Sequence, residues 1–129
     1  MREPLFFEDA VLEGLCPFPV LVEFTANNEF VTFFDDGSII VTGKLFVRLT
    51  NLDDTTNSLD LNISGPTFIS PVEERGAGRG LVLLFPEDSG GPGIVLATGR
   101  VDFVRGEDGF ITNLSVRGRT VDICATLAG

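Results

Sequence analysis

The sequence predicts an all-β fold, a small antiparallel β-barrel of about eight strands, with a β-sandwich as the alternative. Three observations predict it. First, residues 38–52 define two faces, with Ile39, Val41, Leu45, Val47 and Leu49 apolar and Ser38, Thr42, Lys44, Arg48 and Thr50 polar. Successive strand side chains point to opposite sides, so the apolar set faces a core. Second, turn signals recur about every ten residues, as they do between the short strands of barrels and sandwiches. Third, no segment carries the period of an amphipathic helix. The 129 residues suit one domain, 1–129, without repeats or a linker.

Taken in order, residues 5–12 read as a first strand, punctuated by Gly14 and Pro17. Residues 18–26 follow, with Val20, Val22, Phe24 and Ala26 on one face, and Asn27-Asn28 reads as a short turn into a strand at 29–35. Asp36-Gly37 is a strong hairpin signal, because both central residues of such a turn need positive φ. It leads into the long central strand, 38–52. Gly43 inside that strand predicts a bulge or a bend, and Ile40 and Phe46 interrupt its polar face. Beyond a polar turn at 53–57, Leu59, Leu61 and Ile63 alternate with Ser58, Asp60, Asn62 and Ser64, which gives one buried and one wet face. A short strand at 67–70 precedes a glycine-rich loop over 71–80. Residues 81–85 are apolar on both faces, which predicts cover on both sides or an association surface. After a second loop at 86–93 comes a long strand at 94–105, with Val95, Ala97, Val101 and Phe103 inward and Gly99 at a bend. Residues 106–109 make a hairpin turn, and strands at 110–117 and 120–125 close the domain.

Composition excludes several kinds of chemistry. Nineteen acids against nine bases give a net charge of −10, which opposes phosphate backbones and anionic lipids. No nucleic-acid partner is expected, and the acidity reads as solubility. There are 12 Phe and no Trp, Tyr or His. Phenylalanine can be fully buried without a polar partner. Without imidazole there is no Ser-His or Cys-His catalysis and no imidazole metal site. The glycine run at 76–80 lacks the phosphate-loop pattern. Acids such as Asp36, Asp54, Asp88 and Asp108 sit in turns for backbone reasons, so neither metal nor cofactor is expected. No apolar run approaches the roughly 18 residues that span a bilayer. The start lacks the basic and apolar regions of a signal peptide; a mature chain with its leader removed begins the same way.

Two cysteines lie near opposite ends, Cys16 and Cys124. Either both are buried and reduced, or they form one bridge; the bridge is favoured, as it suits an oxidising compartment. No C-x-x-C redox motif is present.

Several pieces together resemble small secreted β-proteins of actinobacteria to which no activity is attached. They are Leu15-Cys16-Pro17-Phe18-Pro19, Val41-Thr42-Gly43-Lys44-Leu45, Thr50-Asn51-Leu52, the stretch 59–66, Thr98-Gly99-Arg100 and Asp122-Ile123-Cys124. The resemblance covers most of the chain and its motifs are structural. It implies export, a secreted or cell-surface location and a Cys16–Cys124 bridge, and it carries over no catalytic residue.

Among candidate site residues, Glu23 and Arg48 are lone charges in apolar strands, opposite the main core set. They form either a cross-strand surface pair, worth about 0–1 kcal/mol, or the polar anchor of a cavity. Thr98, Arg100 and Asp102 share one face of their strand, either as a solvated ladder or as a polar row in a barrel mouth. The leading expectation is a non-catalytic exported domain that binds a small apolar ligand through Phe24, Leu45, Val47 and Phe103. The second is a structural or interaction protein, homo-oligomers included, associating through Ile40, Phe46, Ile94 and Leu96. The third is a barrel enzyme that accelerates a cyclisation or isomerisation by orienting its substrate, with Glu23 and Arg48 as the working charges.

Overall fold

Residues 2–70 and 73–129 are described by a computed structural model. They form ten strands and one short helix: β1 (Arg2–Leu5), β2 (Ala10–Leu12), β3 (Val20–Phe33), β4 (Ile39–Asn51), β5 (Ser58–Asn62), β6 (Thr67–Ile69), β7 (Glu73–Gly76), β8 (Arg79–Leu84), β9 (Gly93–Arg105), β10 (Ile111–Asp122) and α1 (Ile123–Leu127). All pairings are antiparallel, and the sheet runs β1-β3-β4-β6-β7-β9-β10, with β2 on β3, β5 on β4 and β8 on β9. The chain is therefore all-β as expected, but the sheet stays open. The expected barrel gives way to a single folded-over, sandwich-like sheet. Its edges explain why. β1 and β2 have only four and three residues and Pro4 has no N–H to donate, features that disfavour pairing with the twelve-residue β10.

Several boundaries differ from the sequence reading. The first expected strand is two, β1 and β2, separated by residues 6–9. No turn forms at Asn27-Asn28; β3 runs straight through, with an extra residue, Thr25, between the pairs Phe24–Val47 and Ala26–Phe46. That β-bulge lies in β3, whereas the register passes Gly43 unbroken. Glycine is needed at 43 because a Cβ there would overlap the Asn28 carbonyl oxygen and lie 2.8 Å from Glu29 Oε2. Within the glycine-rich segment, β7 and the start of β8 form strands, while positions 71 and 72 lie outside the described residues. The two closing strands are one, β10, ending in α1. Asp122 caps that helix by accepting from the Ala125 N–H at 3.2 Å, and Ile123 and Leu127, one turn apart, are its buried residues.

The main core joins Val20 and Val22 of β3, Val47 and Leu49 of β4, Ile94 of β9, and Ile123 and Leu127 of α1. Leu81, Leu83 and Leu96 pack against it. A second cluster gathers Val82, Leu84, Ala97, Val101 and Ile111. β8 and the first half of β9 are thus covered on both faces, which accounts for the doubly apolar run from Leu81 to Leu84. It also overturns the outward placement of Ile94 and Leu96: Ile94 is fully buried and Leu96 packs on the main core. Ile40 and Phe46 are half-buried on the other face of β4.

Between Leu96 and Thr98, just before Gly99, the even positions of β9 turn from core to solvent. Gly99 pairs with Gly118 of β10, at φ of 118° and 138°. A Cβ on either would overlap a carbonyl oxygen of the facing strand, Arg117 or Thr98. The β9–β10 register runs through Gly99 without a break, and its glycine partner on β10 makes the close approach.

Cys16 and Cys124 are bridged, with Cα atoms 5.3 Å apart and a sequence separation of 108. The bridge sits against the main core and joins the segment before β3 to α1. No described helix is long and apolar enough to cross a membrane.

Candidate functional site

The alternation of β3 and β4 turns Val22, Phe24, Leu45 and Val47 to one side, and the folded-over sheet brings Leu81 and Leu83 of β8 to face them. Ile63, just past β5, closes one end. Residues 7–12 supply the remaining wall through Phe7, Ala10 and Leu12. Together they line a half-open cleft of about 310 Å³, in which Glu8 is the single charged side chain among the described residues.

The wall is held by the consequences of the β3 bulge. The extra residue disturbs the ladder beside Phe24, and the segment between β1 and β2 fills in with side chains. Asp9 Oδ1 accepts from the Phe24 N–H at 2.8 Å. Asn27 acts as a surrogate strand: its Nδ2 donates to the Phe7 carbonyl at 2.6 Å, and its Oδ1 accepts from the Phe7 N–H at 3.3 Å. So fixed, the Phe7 ring stacks on Phe24, with centroids 5.4 Å apart and planes inclined by 25°. That offset arrangement is favoured by the ring quadrupoles.

Three of the four residues expected to bind a ligand, Phe24, Leu45 and Val47, come together in this cleft. Phe103 does not. It lines a smaller hollow of about 140 Å³ with Thr67, Glu74, Gly76 and Val101. A wider depression of about 430 Å³ lies beside the disulfide, among backbone-rich positions such as Gly14, Gly90, Pro92 and Gly93, with Asp122 at its edge.

Glu23 and Arg48 face each other in register on the side of the sheet turned away from the cleft. Arg48 Nε donates to Asp60 Oδ1 at 2.7 Å, and both side chains are largely exposed, at 49% and 69%. The hydrogen bond and charge of Asp60, with a smaller contribution from Glu23, raise the guanidinium above its ordinary pKa. Among the described residues the ion pair of Arg48 is thus with Asp60 of β5, not with Glu23, its neighbour across the ladder. Thr98 and Arg100 are likewise exposed, and Asp102 is held between Arg75 and Arg100 at 2.9 Å from each. Those two hydrogen bonds, Arg100 first, keep its carboxyl below the usual aspartate value.

One acid stands apart. Glu29 is 5% exposed and lies on the cleft-side face of β3, over Gly43. Its Oε2 is buried without a hydrogen-bond partner, and burial raises its pKa. The turn acids mostly serve the backbone. Asp88, almost fully buried, accepts from the Phe85 N–H at 2.8 Å and the Ile111 N–H at 2.7 Å. Among the described residues, no three acids or cysteines gather as metal ligands would.

Phe7, Leu12, Ile63, Leu81 and Leu83 were not anticipated as site residues. Phe7, read as part of a first strand, lies in a loop; Leu81 and Leu83 belong to a run read as covered on both sides or as an association surface. No protein-family model, curated protein or solved structure matches the chain.

Proposed function

We propose that this is an exported, non-catalytic domain that holds a small apolar molecule in the cleft between β3–β4 and β8, under Phe7. The observation that carries the reading is the lining. Ten of the eleven residues around the cleft are apolar, and Glu8 alone is charged. The volume, about 310 Å³, falls at the lower end of small-molecule sites, roughly 300–1,000 Å³. Glu8 would meet a polar end at the mouth. Export is supported by the Cys16–Cys124 bridge, since such bonds persist in oxidising compartments. The enzyme reading has less support, because its two charges, Glu23 and Arg48, lie on the sheet face turned away from the cleft, with Arg48 paired to Asp60.

The test uses Nile red as the probe. Its fluorescence should rise saturably with the unaltered protein. Ala10→Trp places a large side chain in the cleft from an exposed position and should abolish the signal. Phe46→Ala, on the other face, should leave it unchanged. Equal binding by Ala10→Trp would rule out this cleft as the site. Native mass spectrometry of protein taken from its own host, without reductant, would identify the natural occupant by its extra mass.

A further inference from the structure

The nine basic residues are unevenly placed. Five arginines share the solvent face of β7–β10. Arg79 and Arg119 flank Thr98 in one cross-strand row, Arg100 and Arg117 form the next, and Arg75 pairs with Asp102 in the third. All five are exposed. Asp102 neutralises part of the cluster through Arg75 and Arg100, and Glu73 lies 3.3 Å from Arg75. Arg79, Arg117 and Arg119 form no ion pair among the described residues. In a chain of net charge −10, this is a local reversal of sign.

A second, independent observation falls on the same element. Among the described residues β10 pairs only with β9. It is a twelve-residue strand whose outer edge presents every other N–H and C=O to solvent, a template for a further strand. Its two faces differ. Arg117 and Arg119 line one, and the half-buried Leu114 and Val116 line the other.

We propose that the free edge of β10 takes up an extended acidic peptide as an added strand. Its backbone would pair with residues 113–121. Carboxylates on alternate positions would lie about 5 Å from Arg117 and Arg119, one strand spacing away, and the intervening aliphatic side chains would cover Leu114 and Val116. Main-chain pairing of this kind gives affinity, and alternate side chains give selectivity. A second copy fits less well: it brings another −10 of charge, and its opposite edge is broken into strands of four and three residues. A nucleic acid has no peptide backbone to pair with the edge.

The test measures fluorescence anisotropy with a labelled peptide of alternating glutamate and valine, as long as β10. A companion peptide has the same side chains but N-methyl groups on alternate amides, which block pairing and leave charge intact. The first should bind saturably and the second should not. Arg117→Glu with Arg119→Glu turns two exposed attractions into repulsions and should weaken binding about tenfold. Equal binding of the N-methylated peptide would overturn the proposal in favour of charge alone. So would absence of binding, or self-association in sedimentation that the double variant abolishes. The peptide comparison uses the unaltered protein, so the result does not depend on how the variant folds.

Discussion

Replacing Glu29 by glutamine should stabilise the protein at neutral pH and leave it unchanged in acid. Glu29 is buried on the core-side face of β3 with one carboxylate oxygen unpartnered, and no cation among the described residues pairs with it. Burial raises its folded-state pKa above the usual glutamate value of 4.5. The folded state therefore holds the proton more tightly than the unfolded chain. Its contribution to stability is fully present below the unfolded value and is lost as pH rises through the folded one. Between those points the loss accrues at up to about 1.4 kcal/mol per pH unit. Glutamine mimics the protonated form and does not titrate. The difference between variant and parent should thus be near zero at pH about 4, grow with pH, and level off once the folded carboxyl has ionised. Both groups, carboxyl and amide, are buried and unsatisfied, so the plateau measures the extra cost of the ionised over the neutral form, on the order of 1 kcal/mol or more. For a chain of this length, that is about 4 °C of Tm per kcal/mol. The assay is thermal or urea unfolding of both proteins across pH 4–8, with Glu107→Gln, at an exposed turn acid, as the control for lost net charge. A flat offset equal to the control's, or a variant less stable at pH 7 than the parent, would refute the assignment.

Three further outcomes follow from the geometry. Reducing the Cys16–Cys124 bridge releases a long loop; the chain-entropy model gives about 4–5 kcal/mol, read as a lower urea midpoint in the presence of dithiothreitol. Gly118→Ala sets a Cβ against the Thr98 carbonyl at positive φ, and should cost at least the roughly 1–3 kcal/mol of such backbone strain; an unchanged Tm would mean that the β9–β10 pair is looser than described. Asp88→Ala leaves the Phe85 and Ile111 N–H groups without their acceptor and should cost about 1–3 kcal/mol; Asp88→Asn, which keeps one acceptor oxygen, should recover part of it in the same unfolding experiment.

The central strand was legible because its core face is continuous: Leu45, Val47 and Leu49 are buried as their period requires. The two flanking turns were legible for a similar reason, since Asp-Gly and Asp-Asp sequences bond their own backbones, as Asp36 does to Ser38 and Asp54 to Thr56. Half of the cleft follows from the same alternation, through Phe24, Leu45 and Val47. What failed was the far half of β3. By strict alternation after Val20, Val22 and Phe24, Glu29 is a wet position and Asn27-Asn28 a turn. One extra residue at Thr25 reverses the faces beyond it, so Asn27 comes in to hold Phe7, and Glu29 is buried. Nothing in the local sequence announces a bulge, because Thr25 is an ordinary strand residue. Gly118 misled in the opposite direction. Read as a gap between two strands, it is the partner that lets β9 and β10 approach at Gly99, a relation between positions far apart in sequence. Barrel closure failed on a property of edges, which periodicity within a strand does not report.

That open edge connects the two proposed sites. Closure would place β10 beside β1 and β2 and consume the hydrogen-bonding groups of both. Three features oppose it: the brevity of β1 and β2, Pro4 on the edge, and Arg117 and Arg119 along β10. These are means by which sheets keep edges from pairing indiscriminately. Short edge strands also free residues 6–9 to leave the sheet, cross the bulge and lay Phe7 over the cleft. Lengthening β1 into a regular strand through residues 6–9 would remove the cleft's wall. A charged edge that resists a like copy still accepts a strand of opposite charge, because the same arginines that repel one partner attract the other. The two sites use different surfaces, the interior of the fold-over and its outer rim. Ligand uptake and peptide pairing should therefore be separable: Ala10→Trp should leave the acidic peptide bound, and the Arg117→Glu, Arg119→Glu pair should leave Nile red bound. Loss of both activities in either protein would instead mean that one surface serves both, or that the variant has lost its fold, which its near-native unfolding midpoint would exclude.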